Sequence, residues 1–313
     1  MPRIARDVTW LVGRTPLVAL DRLEPGLPGR LVAKLEARNP SASNKDRAAL
    51  AMIEHAERSG ALSPDTTLIE CSAGDLGLAL ASICAVRGYR LVLTMPANSP
   101  AGRTNLLRSL GAELVLTEPS LGMRGAMLKA DELQRVIQPS LILQPFSNTA
   151  NARAHARGTA REIWEDSDGT VHTVVCPVGS GGTAAGCAAF FRETAPQVRI
   201  VGVEPRRSAV LCGGAPGAHD IVGIGAGFVP GILAAKDLHE VIAVDESEAF
   251  AAVRGLARRE GILAGPASGA VAHAALAVAR RRELGGRLVV AILPDHGERF
   301  GEHACHGART ETT

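Results

Sequence analysis

The stretch LVAKLEARNPSASNKDRAALAMIEHAERSGALSPDTTLIECSAGDLGLALASICAVRGYRLVLTMP (31–96) decides the fold. Its β-branched apolar runs LVAKLEA (31–37), TTLIE (66–70) and RLVLTMP (90–96) predict strands. Between them lie helical patterns: DRAALAMIEHAERSGAL (46–62), with Ala49, Met52, Ile53 and Ala56 on one face, and LGLALASICAVRG (76–88), stopped by Gly88. The alternation continues outward through the runs ELVLT (113–117), TVVCPV (173–178), RIVGVEP (199–205) and RLVVAILP (287–294). Strands buried on both faces and separated by helices predict an α/β protein with mostly parallel, right-handed sheets. In such sheets ligands gather at the glycine- and serine-rich turns that follow the strands.

Composition narrows the function. The chain has 313 residues, enough for two domains or one large domain with a subdomain. A net charge of +2 and only nine aromatic residues argue against a nucleic-acid binder. No run approaches the roughly 18 apolar residues of a membrane helix, and the N-terminus lacks a signal-peptide pattern. Six cysteines without CxxC spacing predict free thiols, and with them a cytoplasmic protein. His303, Cys305 and His306 in the tail HACH predict a frayed, solvated end rather than a metal site.

Two segments carry chemistry. CPVGSGGTAAGCAAFF (176–191) sets Gly179, Ser180, Gly181, Gly182 and Thr183 between a buried strand and an apolar helix. Such a turn offers backbone N–H groups and a helix N-terminus to an anion. The acid Glu204 at the end of the next strand leaves a dinucleotide site open as one reading. NPSASNKDRAAL (39–50) places Lys45, one of only four lysines, at a helix start, where the dipole disfavours a cation and lowers the amine's pKa. The others, Lys34, Lys129 and Lys236, stand where an arginine would serve as a surface charge.

NPSASNKDRAAL resembles the lysine motif of the cysteine synthases, the O-acetylserine and related sulfhydrylases of the tryptophan-synthase-β fold. The resemblance runs over roughly residues 8–300 through GRTPLV (13–18), ECSAGDLGLALA (70–81), GMRGA (122–126), FSNTAN (146–151), REIW (161–164), VGSGGTAAG (178–186), GIGAGFVP (223–230) and LPDHGERF (293–300). It implies two three-layer α/β domains with pyridoxal 5′-phosphate in the cleft between them. Residues 39–148 would form a smaller, mobile substrate-loop domain, and 1–38 plus 149–313 a larger domain that binds the cofactor phosphate. It implies Lys45 as the Schiff-base lysine and residues 179–183 as the phosphate cradle. Asn44, Asp75, Gly225, Ala267, Ser268 and Asp295 join them as cofactor-binding positions. It also implies a homodimer, a small amino-acid substrate and a small nucleophile.

The departures from the family pattern gather at the substrate. The loop is Ser72, Ala73, Gly74, Asp75, Leu76, Gly77 where the family has Thr-Ser-Gly-Asn-Thr-Gly, and Pro145 stands where it has glutamine. Asp75, if ionised, is expected to repel a substrate carboxylate. Ala267 replaces the serine that meets the pyridine nitrogen, with Ser268 next to it, so no acid is expected opposite that nitrogen. The expected reaction is β-replacement on an activated serine-type amino acid of non-standard kind. A β-leaving group is lost to give an aminoacrylate imine, and sulfide, a thiol or an amine then adds. β-Elimination alone, or a catalytically impaired regulatory homologue, are the alternatives.

Overall fold

The apolar runs do become strands, and they sort into two sheets. In the computed structural model, residues 4–301 and 303–306 are described. The larger sheet has the order β1-β2-β10-β7-β8-β9: β1 Leu17–Ala19, β2 Arg30–Leu35, β7 Val171–Pro177, β8 Arg199–Pro205, β9 Glu240–Val244 and β10 Leu288–Leu293. Every pairing in it is parallel except β1 with β2, which closes one edge antiparallel. The smaller sheet, wholly parallel, has the order β5-β4-β3-β6: β3 Thr67–Cys71, β4 Leu91–Pro96, β5 Glu113–Thr117 and β6 Ser140–Ile142.

Helices cover both sheets. Around the small one lie α1 Lys45–Arg58, α2 Asp75–Arg87, α3 Ala101–Ser109 and α4 Gly122–Val136. Around the large one lie α5 Thr149–His155, α6 Arg161–Asp166, α7 Gly182–Thr194, α8 Glu246–Gly255 and α9 Pro266–Ala279. Met52 and Ile53 of α1 are fully buried in the small core, each worth about 1.5–3 kcal/mol of transfer free energy. In α9 twelve of fourteen residues are buried, so it runs through the large core instead of lying on it. The predicted helix 46–62 overshoots: α1 stops at Arg58 because Gly60 turns the chain with φ +74° and Leu62 N–H closes back on Ala56 O.

Three strands deliver the site. β3, β7 and β10 end at the substrate loop, the glycine loop and Pro294–Asp295, respectively, the last two in one sheet and the first in the other. The carboxyl ends of parallel strands meet in the cleft between the two α/β domains, where open sheets place ligands.

A buried ionic network ties the base of the cleft. Arg47 of α1 binds Glu36 at 2.7 Å and Glu162 of α6 at 2.7 Å, while Lys34 of β2 reaches Glu162 at 2.9 Å and Asp166 at 3.3 Å. Lys34 is therefore wholly buried and not a surface charge as the sequence suggests. The tail also differs from expectation. Cys305 is buried against Val253 and Phe300, and the His303 ring meets Phe250 edge-on with centroids 5.1 Å apart. The HACH segment is thus packed rather than frayed, and no metal-binding group of three His, Cys, Asp or Glu side chains exists among the described residues.

Candidate active site

Lys45 opens α1, with Asn44 as the preceding cap residue. Asn44 fixes this end of the helix from two sides: its N–H donates to Pro294 O at 2.9 Å, and its Nδ2 donates to Thr183 Oγ1 at 3.1 Å. The Lys45 backbone N–H is held by Ser43 Oγ at 3.2 Å. The Lys45 amine itself, partly buried, makes no hydrogen bond or ion pair among the described residues. Burial pushes its pKa below the usual lysine value, against the opposing fields of Asp75 and then Asp295. Lys34 and Lys129, by contrast, are both ion-paired and Lys236 is exposed, so Lys45 is the lysine placed to act as a nucleophilic amine.

The glycine loop is tied to this end of α1 through the bond from Asn44 to Thr183. Gly181 takes φ +84° ahead of α7, and the backbone N–H groups of residues 179–183 have no protein acceptor among the described residues. Two of its glycines have no room for a side chain. A Cβ on Gly179 would come within 2.7 Å of Gly223 O, and one on Gly182 within 2.0 Å of Asn151 Oδ1. Thr183 is buried, with its hydroxyl between Asn44 and His155 Nε2, 3.4 Å away. His155 also meets Thr159 Oγ1 at 2.9 Å, and burial beside Arg47 and Lys45 keeps its ring neutral at ordinary pH. Asn151 donates to Ser180 Oγ at 3.0 Å and Pro145 O at 2.9 Å. Asn151 and His155 went unmarked as site residues in the sequence. FSNTAN supplied the signal for Asn151, while His155 resembled an ordinary helical histidine.

The dinucleotide alternative does not survive. Glu204 is buried, and its two oxygens are already engaged by Leu211 N–H at 2.8 Å and Cys212 N–H at 3.0 Å.

At the substrate loop, Ser72 Oγ accepts from Gly77 N–H at 2.9 Å and fastens the first turn of α2. Asp75, the first residue of α2, is not the bare anion the sequence suggests. Arg103 Nη1 of α3 and Arg299 Nη1 each sit 2.9 Å from its Oδ1, and Arg299 also donates to Ser41 O. Two guanidiniums around one carboxylate offset its charge, so Asp75 is not a lone anion. Ala73 and Leu76 turn partly toward the small core, and Pro145 is buried. Across the cleft, Phe146 and Phe228 meet edge-on at 5.0 Å, joining the loop after β6 to the glycine-rich 223–230 segment. In that segment Gly225 takes φ +71° and its N–H donates to Val178 O at 3.0 Å.

Ala267 and Ser268 lie in the first turn of α9, both buried. Ser268 does not stand free beside Ala267, because its hydroxyl and its N–H both donate to Asp295 Oδ1, the N–H at 3.0 Å. Asp295 is itself buried, and its Oδ2 has no hydrogen-bond partner. Burial raises this carboxyl to about 6.

A half-buried lysine amine without a partner among the described residues, next to the Asn44 link to a glycine anion cradle, points to a pyridoxal-phosphate enzyme. The family profile described as pyridoxal-phosphate dependent enzyme matches residues 8–295. The chain is 43% identical over 309 residues to cysteine synthase A of Salmonella typhi, covering 96% of this chain and 95% of the relative. It superposes on the cysteine synthase of Entamoeba histolytica with a TM-score of 0.95 at 36% identity, covering 100% of this chain and 94% of the other. An O-acetylserine dependent cystathionine beta-synthase from Helicobacter pylori matches with a TM-score of 0.91 at 32% identity, covering 97% and 100%. The chain belongs to the cysteine synthase family of pyridoxal-phosphate enzymes. Its reaction is accordingly of the cysteine-synthase type, a β-replacement on a small amino acid.

Proposed function

We propose that Lys45 holds the cofactor and moves the substrate's α-proton, in a β-replacement whose amino-acid substrate is not plain O-acetylserine. The observation that carries this is the uncommitted Lys45 amine, next to the Asn44 link to the 179–183 cradle and within the field of Asp75 in the 72–77 loop. Residues 179–183 would receive the 5′-phosphate through their free N–H groups, with the Ser180 and Thr183 hydroxyls oriented by Asn151 and Asn44. Bound pyridoxal phosphate supplies the electron sink for negative charge at the substrate's α-carbon. The Lys45 amine would be the base that accepts the substrate's α-proton once the substrate amine has taken its place. Its lowered pKa leaves more of it as free base near neutral pH.

The substrate corner supports a changed specificity. A methyl at Ala73, an isobutyl at Leu76 and a ring at Pro145 replace three side chains able to donate to a carboxylate. What remains there is the guanidinium pair, Arg103 and Arg299, held by Asp75. An α-carboxylate at this corner meets positive charge where the family offers neutral donors. Residues 39–148 form the smaller, mobile substrate-loop domain of this reading, with 1–38 plus 149–313 holding the phosphate. The enzyme works in the cytoplasm as a homodimer; exposed Trp10, Leu11 and Val18 offer apolar surface for pairing. Among the described residues no helix is long and apolar enough to cross a membrane.

Titrating the holoenzyme with O-acetylserine, O-phosphoserine and other activated serines, and following the visible band, tests the reading. A band shift with a non-acetyl substrate at lower concentration than with O-acetylserine supports it. Equal or better response to O-acetylserine returns the enzyme to ordinary cysteine synthesis.

A further inference from the structure

The cleft takes up the carboxyl ends of the large sheet's parallel strands. At their amino ends, beside the last turn of α9, is a cavity of about 400 Å³. His172 and Thr173 of β7, Arg199 and Val201 of β8, Val278 of α9 and the following Arg281 line it. The seven residues of β7 run between this cavity and the glycine loop, roughly 20 Å at about 3.3 Å per residue.

A break in the strand register brings His172 to this cavity. Against consecutive Leu288 and Val289 of β10, β7 steps from Val171 to Thr173, so His172 is an extra residue with no partner there. Such a bulge re-aims a side chain: residues 172 and 173 line the same cavity, where a regular strand would send them to opposite faces. The half-buried ring meets Thr173 Oγ1 at 2.9 Å through Nδ1. Burial, then the field of Arg287 just before β10, then that of Arg199, hold its pKa below the usual histidine value. Arg199 and Arg287 are exposed, and neither side chain has a hydrogen bond or ion pair among the described residues. Arg281 is held by Glu240 at 2.6 and 2.8 Å, and Glu283 is the acid that lines the cavity. Three guanidiniums against two carboxylates favour an anion here. Val201, Val278 and Leu284, all buried, give the cavity an apolar side, and its volume falls in the range of small-molecule sites, well above a bare ion.

We propose that this cavity is a second binding site, for a small organic anion with a phosphate or carboxylate head, its head on Arg199 and its short carbon skeleton against Val201, Val278 and Leu284. The planar guanidinium fork of Arg199, free of any protein acceptor, suits either oxyanion. Arg287 adds charge, and His172 registers the occupant. A bound anion offsets the fields of the two arginines, so the imidazole takes up a proton more readily and its titration midpoint moves to higher pH. The site lies at the opposite end of the sheet from the cleft and stands independently of the cofactor reading.

The test uses the full chain with histidine labelled with 13C at Cε1, in excess pyridoxal phosphate so that the glycine loop is not free for the probes. His172→Gln assigns the resonance. Glycerol 3-phosphate, glycerate and glycerol, which share one carbon skeleton, are titrated in turn. The phosphate or the carboxylate probe is expected to shift the His172 signal saturably and to raise its titration midpoint, with no response to glycerol. A response to one anion alone assigns the head group. Arg199→Met, an exposed and unpaired position, should weaken that binding about tenfold or more, the worth of one charge-assisted hydrogen bond. Arg287→Met should weaken it less and raise the ligand-free midpoint of His172. No response of His172 to either anion, an equal response to glycerol, or unchanged affinity in Arg199→Met overturns the proposal.

Discussion

At position 75 a carboxylate stands where the family resemblance expects an amide, and its meaning depends on partners far along the chain. Arg103 is 28 residues away and Arg299 is 224 away, so sequence alone suggested repulsion of substrate where the fold shows a paired charge. Arg299→Met removes one guanidinium beside Asp75. The KM for the amino-acid substrate should rise about tenfold or more with cofactor affinity unchanged, since one charge contact in a half-buried site is worth roughly 1.5–3 kcal/mol. Steady-state kinetics alongside cofactor titration checks this; an unchanged KM refutes it. Gly182 makes the opposite kind of demand, for empty space. Gly182→Ala forces a methyl into Asn151 Oδ1 and should weaken cofactor binding at least tenfold, measured by equilibrium dialysis of the released cofactor.

Among the elements, strands with long β-branched runs were legible: β5 and β8 fall at the expected residues. β1 and β6 went unrecognised because three residues carry no period, and β9 because its flanks are polar. The family motifs GRTPLV and REIW have a structural meaning that periodicity could not supply. Thr15 donates to Glu36 at 2.7 Å, and the N–H groups of Arg14 and Thr15 donate to Glu162, closing the network around Arg47. That network anchors α1 and so aims Lys45. Arg47→Met leaves buried Glu36 without a counter-charge and should cost about 3–5 kcal/mol in urea denaturation. A loss below 1 kcal/mol would show that α1 is held by its apolar face alone.

Across the whole molecule, buried carboxyls set opposite pH trends. Glu162, held down to about 2 by Arg47 and Lys34 against the pull of burial, favours the fold above its ordinary pKa near 4.5, and that stability is lost as pH falls toward 2. Glu70 is buried next to the substrate loop, with its carboxylate accepting from the Cys71 and Gln144 N–H groups, and burial raises it to about 7. Its folded form binds the proton more tightly than the unfolded chain does. Stability from this group is complete below about pH 4.5 and declines as pH rises through 7. Glu70→Gln should therefore flatten that decline, gaining about 2–4 kcal/mol at pH 8 relative to pH 5 in paired denaturation curves. Parallel pH profiles for variant and wild type would refute it.

The parallel strands and glycine turns were legible because they write themselves locally, while the division into two domains with a cleft came from the family resemblance. The charge pairing inside the cleft was not legible, since it joins residues from opposite ends of the chain. The reading as a whole stands on Lys45. Reducing the purified yellow holoenzyme with borohydride, digesting it and locating the pyridoxyl mass increment tests that most directly. The label is expected on Lys45 alone, with Lys45→Ala colourless and unlabelled. A label on Lys34, Lys129 or Lys236, or a Lys45→Ala protein that keeps its visible band, would contradict it.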